Sequence, residues 1–285
     1  MGNFALRYAP HLGYVSPTPL FALSVGSADL YEHFRFASAH GFAGMFDPWI
    51  VSRPGAELAR FKSGLHDFGL ETGTIACAPF EEIHRPLWVS GRTEDREAIL
   101  AHVERSARLA HDLGSRTLAV LVASSGDDQT RPSQLANARE ALNDAADIAE
   151  RYQVVLGIEP LVALPGMLLR SAYEAAELIE LVNRPSVRLI FDTGHVASMD
   201  GSVLDVQRAL EGLVCVYQLA DMPGRTEPGA GNLDFPALLA RLIGSDYRGL
   251  VELEHGWSEN SAATEAAGIR LLESIDAQAR HRAAG

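Results

Sequence analysis

Residues 154–160 read VVLGIEP, residues 187–195 read VRLIFDTGH, residues 214–221 read VCVYQLAD and residues 249–256 read GLVELEHG. Each stretch contains a short run rich in Val, Leu and Ile, which is typical of a buried strand. Each run reaches a polar side chain close to the following loop, and these side chains are Glu159, Asp192, Gln218 and Glu254. Four strands that end in the same way predict a sheet whose strand ends share one polar edge.

Similar apolar runs recur along the whole chain, separated by amphipathic stretches of roughly ten to twenty residues. The predicted strands are Leu6–Tyr14, Gly44–Trp49, Glu71–Cys77, Thr117–Ala123, Val154–Pro160, Val187–Asp192, Val214–Leu219 and Gly249–Glu254. The predicted helices are Asp29–His40, Ala56–Phe68, Thr93–Leu113, Arg131–Tyr152, Ala172–Asn183, Val203–Glu211, Phe235–Ile243 and Ser261–Ala279. This alternation predicts an α/β protein, a single (β/α)₈ TIM barrel over residues 1–285. A doubly wound sheet fits less well, because no G-x-G-x-x-G follows the first strand.

The composition narrows the classes of partner. The chain has 285 residues, a formal charge of −13 and a pI of about 5.2. An acidic surface repels phosphate backbones and anionic membranes, so we expect neither nucleic acid nor a membrane as partner. No targeting segment is evident, and we expect a cytoplasmic protein with a small-molecule substrate. Cys77 and Cys215 lie in apolar stretches and are expected to be buried in the core, and nothing in the sequence requires a disulfide between them.

The four polar strand ends predict a metal site. Adjacent strands of a closed parallel sheet place their ends about 5 Å apart, so these side chains can converge. Each of them alone is more often a surface residue or a satisfied core residue. Together they supply three carboxylates and one amide, which cannot all stay charged at close range without a cation. Oxygen ligands favour Mg²⁺ or Mn²⁺ over Zn²⁺ or Co²⁺.

All four regions, with the loop after residue 218, carry a resemblance to a known family. The segments are IEPLVALPG, FDTGH, QLADMPGRTEPGAGNLDF and GLVELEH. They resemble the xylose isomerase-like TIM barrels of the sugar phosphate isomerase/epimerase superfamily, and most closely the hydroxypyruvate isomerases. The most specific piece is D-x-P-G-R-x-E-P-G-x-G-x-L over 221–233. The resemblance is weak over roughly the first 115 residues and strong from Leu156 onward.

The resemblance implies a metal-dependent aldose–ketose type isomerase. Glu159, Asp192, Gln218 and Glu254 would hold the metal, and the two glutamates would also transfer protons. The metal would chelate the carbonyl and hydroxyl oxygens of a small hydroxy-carbonyl compound and stabilise an enediolate. His195, Arg225 and Glu227 are the expected substrate contacts, since an arginine fork suits carboxylate or several hydroxyls.

Other functions stay open on the sequence. A ketose 3-epimerase, or an inosose dehydratase or isomerase, uses the same scaffold. An endonuclease IV-type repair enzyme fits less well, because it needs several zinc-binding histidines and a basic groove. A non-catalytic barrel would be expected to lose one of the four ligands. A homo-oligomer is possible, and the sequence does not decide this.

Three further residues are weaker candidates. His11 and Asp47 lie near the ends of the first two predicted strands and could line the pocket, although a lone His or Asp is more often structural. Glu252 shares a strand face with Glu254, one layer deeper in the barrel. It could pair with an arginine or replace Glu254 as a ligand.

Overall fold

The computed structural model describes residues 4–161, 166–245 and 247–284, apart from the side chain of Asp127. The strands are β1 (Tyr8–Pro10), β2 (Gly44–Met45), β3 (Glu71–Thr72), β4 (Ile75–Ala76), β5 (Thr117–Val120), β6 (Val155–Ile158), β7 (Val187–Asp192), β8 (Val214–Leu219) and β9 (Val251–Leu253). The helices are α1 (Ala22–Val25), α2 (Leu30–Ala39), α3 (Gly55–Phe68), α4 (Phe80–Ile83), α5 (Thr93–Leu113), α6 (Arg131–Arg151), α7 (Ala172–Val182), α8 (Thr193–Met199), α9 (Val203–Leu210), α10 (Phe235–Gly244) and α11 (Ala262–Ala284). Short 3₁₀ turns lie at Ile50–Ser52, Pro86–Trp88, Gly126–Asp128 and Glu211–Leu213.

The strands form a closed parallel barrel, as predicted. One sheet has the order β1-β9-β8-β7-β6-β5-β4, and β2 pairs with β3 in a second piece. The two pieces meet beyond the end of β1, where His11 pairs with Phe46. There the Phe46 amide donates to the Pro10 carbonyl at 2.9 Å and the Leu12 amide donates to Phe46 at 2.7 Å. Because β3 and β4 are two halves of one barrel strand, the barrel has eight strands.

The third barrel strand is interrupted, where the sequence predicts one continuous strand over Glu71–Cys77. Its first half pairs with β2 and its second half with β5. Between them the Thr74 amide leaves the sheet and donates to the Glu252 side chain at 2.6 Å. A Cβ on Gly73 would lie 2.7 Å from the same carboxylate oxygen, so a side chain does not fit there. An interior carboxylate therefore breaks this strand.

The helices follow the predicted order, with local differences at their ends. Asp29 caps α2 and Ser171 caps α7. The N-cap position of α5 is Arg92, and Thr93 is already helical. The helices α1, α4 and α8 are additional to the predicted set. The loop between β6 and α7 is described only in part, because residues 162–165 lie outside the described ranges.

The helices cover the barrel and bury one large apolar core. Both cysteines are unpaired; Cys77 is buried and Cys215 is partly buried. No helix in the described ranges is both long and apolar enough to cross a bilayer.

The last helix fastens the first strand through Asp276. This side chain is fully buried and accepts from the Ala5 amide at 2.7 Å, the Leu6 amide at 3.2 Å and the Tyr8 hydroxyl at 3.0 Å. The contact joins the two ends of the described chain and supports β1 beside β9.

We expect Asp276→Ala to lower the free energy of unfolding by about 3 kcal/mol, because each buried donor left unpaired costs about 1–3 kcal/mol. Urea unfolding measures this change. The matched control is Gln278→Ala at an exposed position of the same helix, which should change stability by less than about 0.5 kcal/mol. Equal losses in the two variants would contradict the role given to Asp276.

Candidate metal and active site

The four polar strand ends meet at one end of the barrel. Asp192 is opposite Gln218 in the pairing of β7 and β8, and Glu159 and Glu254 directly follow β6 and β9. A cavity of about 240 Å³ opens here, and Glu159, Gln218 and Glu254 line it. Asp192 does not line the cavity, because its fully buried carboxylate is covered by Arg225. The four side chains therefore lie at the same end of the barrel, as predicted, and Arg225 covers the Asp192 carboxylate.

Arg225 forms a two-point ion pair with Asp192. Its Nη1 donates to Oδ1 at 2.8 Å and its Nη2 donates to Oδ2 at 3.0 Å. The same Nη2 donates to the Glu254 carbonyl at 3.0 Å. Burial raises the pKa of Asp192, but Arg225 and His195 outweigh it and hold the pKa below its ordinary value. Asp192 is thus the ionised carboxylate of the site.

Asp221 organises the loop that carries Arg225. Its carboxylate is fully buried and accepts backbone N–H groups from Met222, Gly229, Gly231 and Leu233 at 2.8–3.0 Å. A Cβ on Gly231 would lie 2.5 Å from this carboxylate, so the close approach requires glycine. The 221–233 motif is therefore a loop wrapped around an acidic side chain, and Arg225 projects from it with a φ of +51°.

Glu227 lies in the same loop, but the structure does not bring it to the cavity wall. Its two oxygens accept from the Ser258 amide at 2.8 Å and the Ser258 hydroxyl at 2.6 Å. Glu227 therefore joins the loop after β8 to the loop after β9. Among the described residues that line the cavity, Glu227 is therefore not found, and its expected contact with substrate stays a prediction.

Glu159 and Glu254 are the two carboxylates that face the cavity. Burial, and then the charge of Asp192, raises the pKa of Glu159 to about 8. Burial, and then Glu159 and Asp192, raises the pKa of Glu254 well above its ordinary value. Oε2 of Glu254 is buried without a hydrogen-bond partner. Each of these acids is therefore able to hold a proton near neutral pH.

His195 stands beside Glu159 at the start of α8. Its backbone N–H donates to Asp192 Oδ1 at 2.7 Å, and its Nε2 lies 3.7 Å from Glu159 Oε1. One ligand atom from each of Glu159, Asp192 and His195 lies within 4.8 Å of the others. Glu254 does not join this group at that distance in the described structure, although it lines the same cavity. Burial lowers the pKa of His195, which favours its neutral, ligand-competent form.

Gln218 presents an amide oxygen to the cavity. Its Nε2 donates to Glu252 Oε2 at 3.0 Å, while its Oε1 is buried with no hydrogen-bond partner. Glu252 accepts from this amide and from the Thr74 backbone N–H, and these contacts take the place of the arginine pair that the sequence left open. Burial raises the pKa of Glu252 to about 7.

This donor set fits a hard divalent cation. Buried oxygens without partners on Gln218 and Glu254 are costly unless something binds them. The raised pKa of Glu159 has the same origin, because burial and a neighbouring carboxylate leave its charge uncompensated. An ion with oxygen ligands relieves both conditions.

Much of the remaining cavity lining is apolar or aromatic. It includes Tyr14, Trp49, Phe80, Ile83, Leu121 and Leu161. The sequence did not single out these residues as a group, since they come from several separate loops and strands.

The weaker candidates His11 and Asp47 are structural. His11 donates from Nε2 to the His255 carbonyl at 3.1 Å and accepts the Gly13 amide at Nδ1. Asp47 is paired with Arg53. Neither side chain lines the cavity in the described structure.

Comparison with known proteins identifies the fold family of this chain and relatives that are isomerases. A family model described as xylose isomerase-like TIM barrel matches residues 34–275. Hydroxypyruvate isomerase of Escherichia coli is 27% identical over 202 residues, covering 70% of this chain and 71% of that protein. A 2-oxo-tetronate isomerase of Pectobacterium atrosepticum is 33% identical over 130 residues, which cover 41% of this chain and half of that relative.

Among solved structures, a family 2 AP endonuclease from Brucella melitensis superposes with a TM-score of 0.77 at 24% identity. The match covers 92% of this chain and 97% of that one. At this identity the likeness shows the fold alone.

The raised pKa of Glu159 predicts a pH-dependent stability. The folded protein holds a proton on Glu159 up to about pH 8, whereas the unfolded chain releases it near the ordinary pKa of 4.5. This stabilisation is complete below pH 4.5 and is lost progressively as pH rises from 4.5 through about 8. With chelator present, the stability of Glu159→Gln relative to wild type should therefore increase from pH 5 to pH 8. A folded and an unfolded pKa that differ by one correspond to about 1.4 kcal/mol, so we expect an increase of a few kcal/mol.

Denaturant unfolding at both pH values measures this difference. Glu97→Gln is the control, because Glu97 is exposed and its offset from wild type should not change with pH. A Glu159→Gln offset that is equally flat would contradict the buried, protonated state.

Proposed function

Since the chain belongs to the xylose isomerase-like TIM barrel family, we propose that it is a divalent-metal-dependent isomerase of a small hydroxy-keto acid or sugar, of the hydroxypyruvate isomerase type. The enzyme class follows from its relatives, which are isomerases. The observation that carries the proposal is the pair of unpartnered buried oxygens on Gln218 and Glu254, beside Glu159. The volume of about 240 Å³ is below the common range of about 300–1,000 Å³ and suits a compound of few carbons.

The proposed metal ligands are Glu159, Asp192, Gln218 and Glu254. When bound, a Mg²⁺ or Mn²⁺ ion would act as a Lewis acid on the substrate oxygens and stabilise the negative charge of an enediolate. The charge of Arg225 and that of a divalent ion together balance the three carboxylates. Arg225 therefore leaves a neutral site, which also tolerates a substrate with one negative charge.

Glu159 and Glu254 are the proposed proton carriers. Both line the cavity beside the proposed ion, and a carboxylate positioned against a substrate accepts a proton as general base and returns it as general acid. One glutamate removes a proton from the hydroxyl-bearing carbon, and the other returns a proton to the adjacent carbonyl carbon. The hydroxyl proton passes to the former carbonyl oxygen, so the exchange of carbonyl and hydroxyl is complete. The order of the two is left open.

His195 and Arg225 are the proposed contacts to substrate oxygens. Both line the cavity next to Glu159 and Glu254. We do not extend this role to Glu227, because Ser258 occupies both of its oxygens.

A ketose 3-epimerase is the second candidate, with an inosose dehydratase or isomerase as a variant of it. The apolar wall around Trp49 and Phe80 favours it, because a sugar presents C–H faces that a three-carbon acid lacks. An endonuclease is disfavoured by the charge of −13. The cytoplasmic location and a homo-oligomeric state stay predictions.

We expect Glu159→Gln and Glu254→Gln each to lower kcat by roughly 10²–10⁴, because each removes a group that transfers a proton. Deuterium uptake from D₂O is the measurement, with hydroxypyruvate, 2-oxo-tetronate and a panel of ketoses as substrates. Uptake into a ketose but not into the keto acids would favour the epimerase. Wild-type rates in either variant, with Glu97→Gln as control, would contradict the two-glutamate mechanism.

Removal of the metal should abolish turnover, and Mg²⁺ or Mn²⁺ should restore it. The physical reason is that the negative charge of an enediolate next to buried carboxylates has no other compensation of sufficient size. Activity after exhaustive chelation, verified by elemental analysis, measures this. Full activity of a metal-free preparation would rule out the metal-dependent mechanism.

A further inference from the structure

Glu252 is a buried carboxylate that the proposed reaction does not use. It lies on β9 opposite Gln218 of β8, and it is 1% exposed. Its two oxygens have separate partners. Oε1 accepts the Thr74 amide at 2.6 Å, and Oε2 accepts Nε2 of Gln218 at 3.0 Å.

This contact decides which end of the Gln218 amide faces the cavity. The oxygen and nitrogen of an amide side chain are almost equal in shape, so only hydrogen bonding distinguishes the two orientations. In this geometry both oxygens of Glu252 accept N–H groups, one from Thr74 and one from Gln218. Glu252 therefore attracts the NH₂ group and leaves Oε1 toward the cavity, where it has no partner.

The fold holds Glu252 in place for this contact. Its other oxygen is bound to a backbone amide, which cannot turn away as a side chain can. The third barrel strand is broken between β3 and β4 to offer that amide, and Gly73 is without a side chain at the point where a Cβ would lie 2.7 Å from Oε1. Two elements distant in sequence thus fix one carboxylate.

We propose that Glu252 is a positioning residue for the cation site: it orients the Gln218 amide so that its oxygen, and not its nitrogen, is offered as a ligand. The inference rests on the proposed function, because Gln218 needs this orientation only if a cation binds there. An amide nitrogen has no free lone pair for a metal, so a reversed amide removes one ligand.

The test begins with Glu252→Gln, which keeps the size of the side chain. The Thr74 amide retains the new oxygen at position 252, and the new NH₂ group then faces the NH₂ group of Gln218. Relief of this clash requires Gln218 to turn over, which points its nitrogen into the site. We expect the affinity for Mn²⁺, measured by calorimetry without substrate, to fall by roughly 10–100-fold.

The double variant Glu252→Gln/Gln218→Glu should restore binding. A carboxylate at position 218 accepts from the NH₂ group at position 252 with one oxygen and offers its other oxygen to the site. The total charge and the size of the pair are those of the wild type. We expect Mn²⁺ affinity within about threefold of wild type, a recovery that a general loss of structure would not give.

Glu265→Gln is the matched control. Glu265 is also a buried glutamate, 2% exposed, and it accepts the backbone amides of Leu23 and Ser24 away from the cavity. We expect it to lose stability in urea unfolding while keeping wild-type Mn²⁺ affinity.

The outcomes separate cleanly. Unchanged Mn²⁺ affinity in Glu252→Gln, an equal loss in Glu265→Gln, or no recovery in the double variant would each overturn the positioning role. A wild-type protein that binds neither Mn²⁺ nor Mg²⁺ would overturn the proposed function, and this inference with it. That result is read from the wild-type protein alone, before any variant is compared.

Discussion

Three buried carboxylates share one end of this barrel, and their mutual repulsion is the constraint on which the site depends. Glu159, Asp192 and Glu254 come from neighbouring strand ends, which a closed parallel barrel brings together. Among the described residues that line the cavity, Arg225 alone has a permanent positive charge. It binds Asp192 at two points. Burial, and then the neighbouring carboxylates, raise the pKa of Glu159 and that of Glu254, although Arg225 lowers both.

Buried acidic side chains hold the loops and strands around the site in place through hydrogen bonds. The 221–233 loop wraps around Asp221 and delivers Arg225 to Asp192. Glu252 lies opposite Gln218 on the neighbouring strand and accepts the Thr74 amide at the point where the third barrel strand is interrupted. The remaining wall is apolar, so charge is concentrated where proton transfer would take place. Structure and proposed chemistry are thus connected through a few buried polar contacts.

The sequence predicts the barrel and the convergence of its strand ends, because strand composition, alternation with helices and polar tips are all local signals. It does not predict that Arg225 covers Asp192 or that Glu227 binds Ser258, since both contacts depend on how a loop folds. The sequence also does not predict the break in the third barrel strand. Its cause is Glu252, a residue far along the chain whose partner could not be inferred from neighbouring positions. Local pattern therefore determines the frame, and long-range hydrogen bonds determine the details of the site.

The central claim is that one divalent ion binds among Glu159, Asp192, Gln218 and Glu254. The most direct measurement is anomalous X-ray scattering from crystals of the full chain soaked in Mn²⁺. We expect one strong peak with a carboxylate or amide oxygen of all four residues about 2.0–2.6 Å away, and Arg225 displaced from at least one oxygen of Asp192. A peak held by His195 in place of Gln218, or no peak among these residues at saturating Mn²⁺, would contradict the claim.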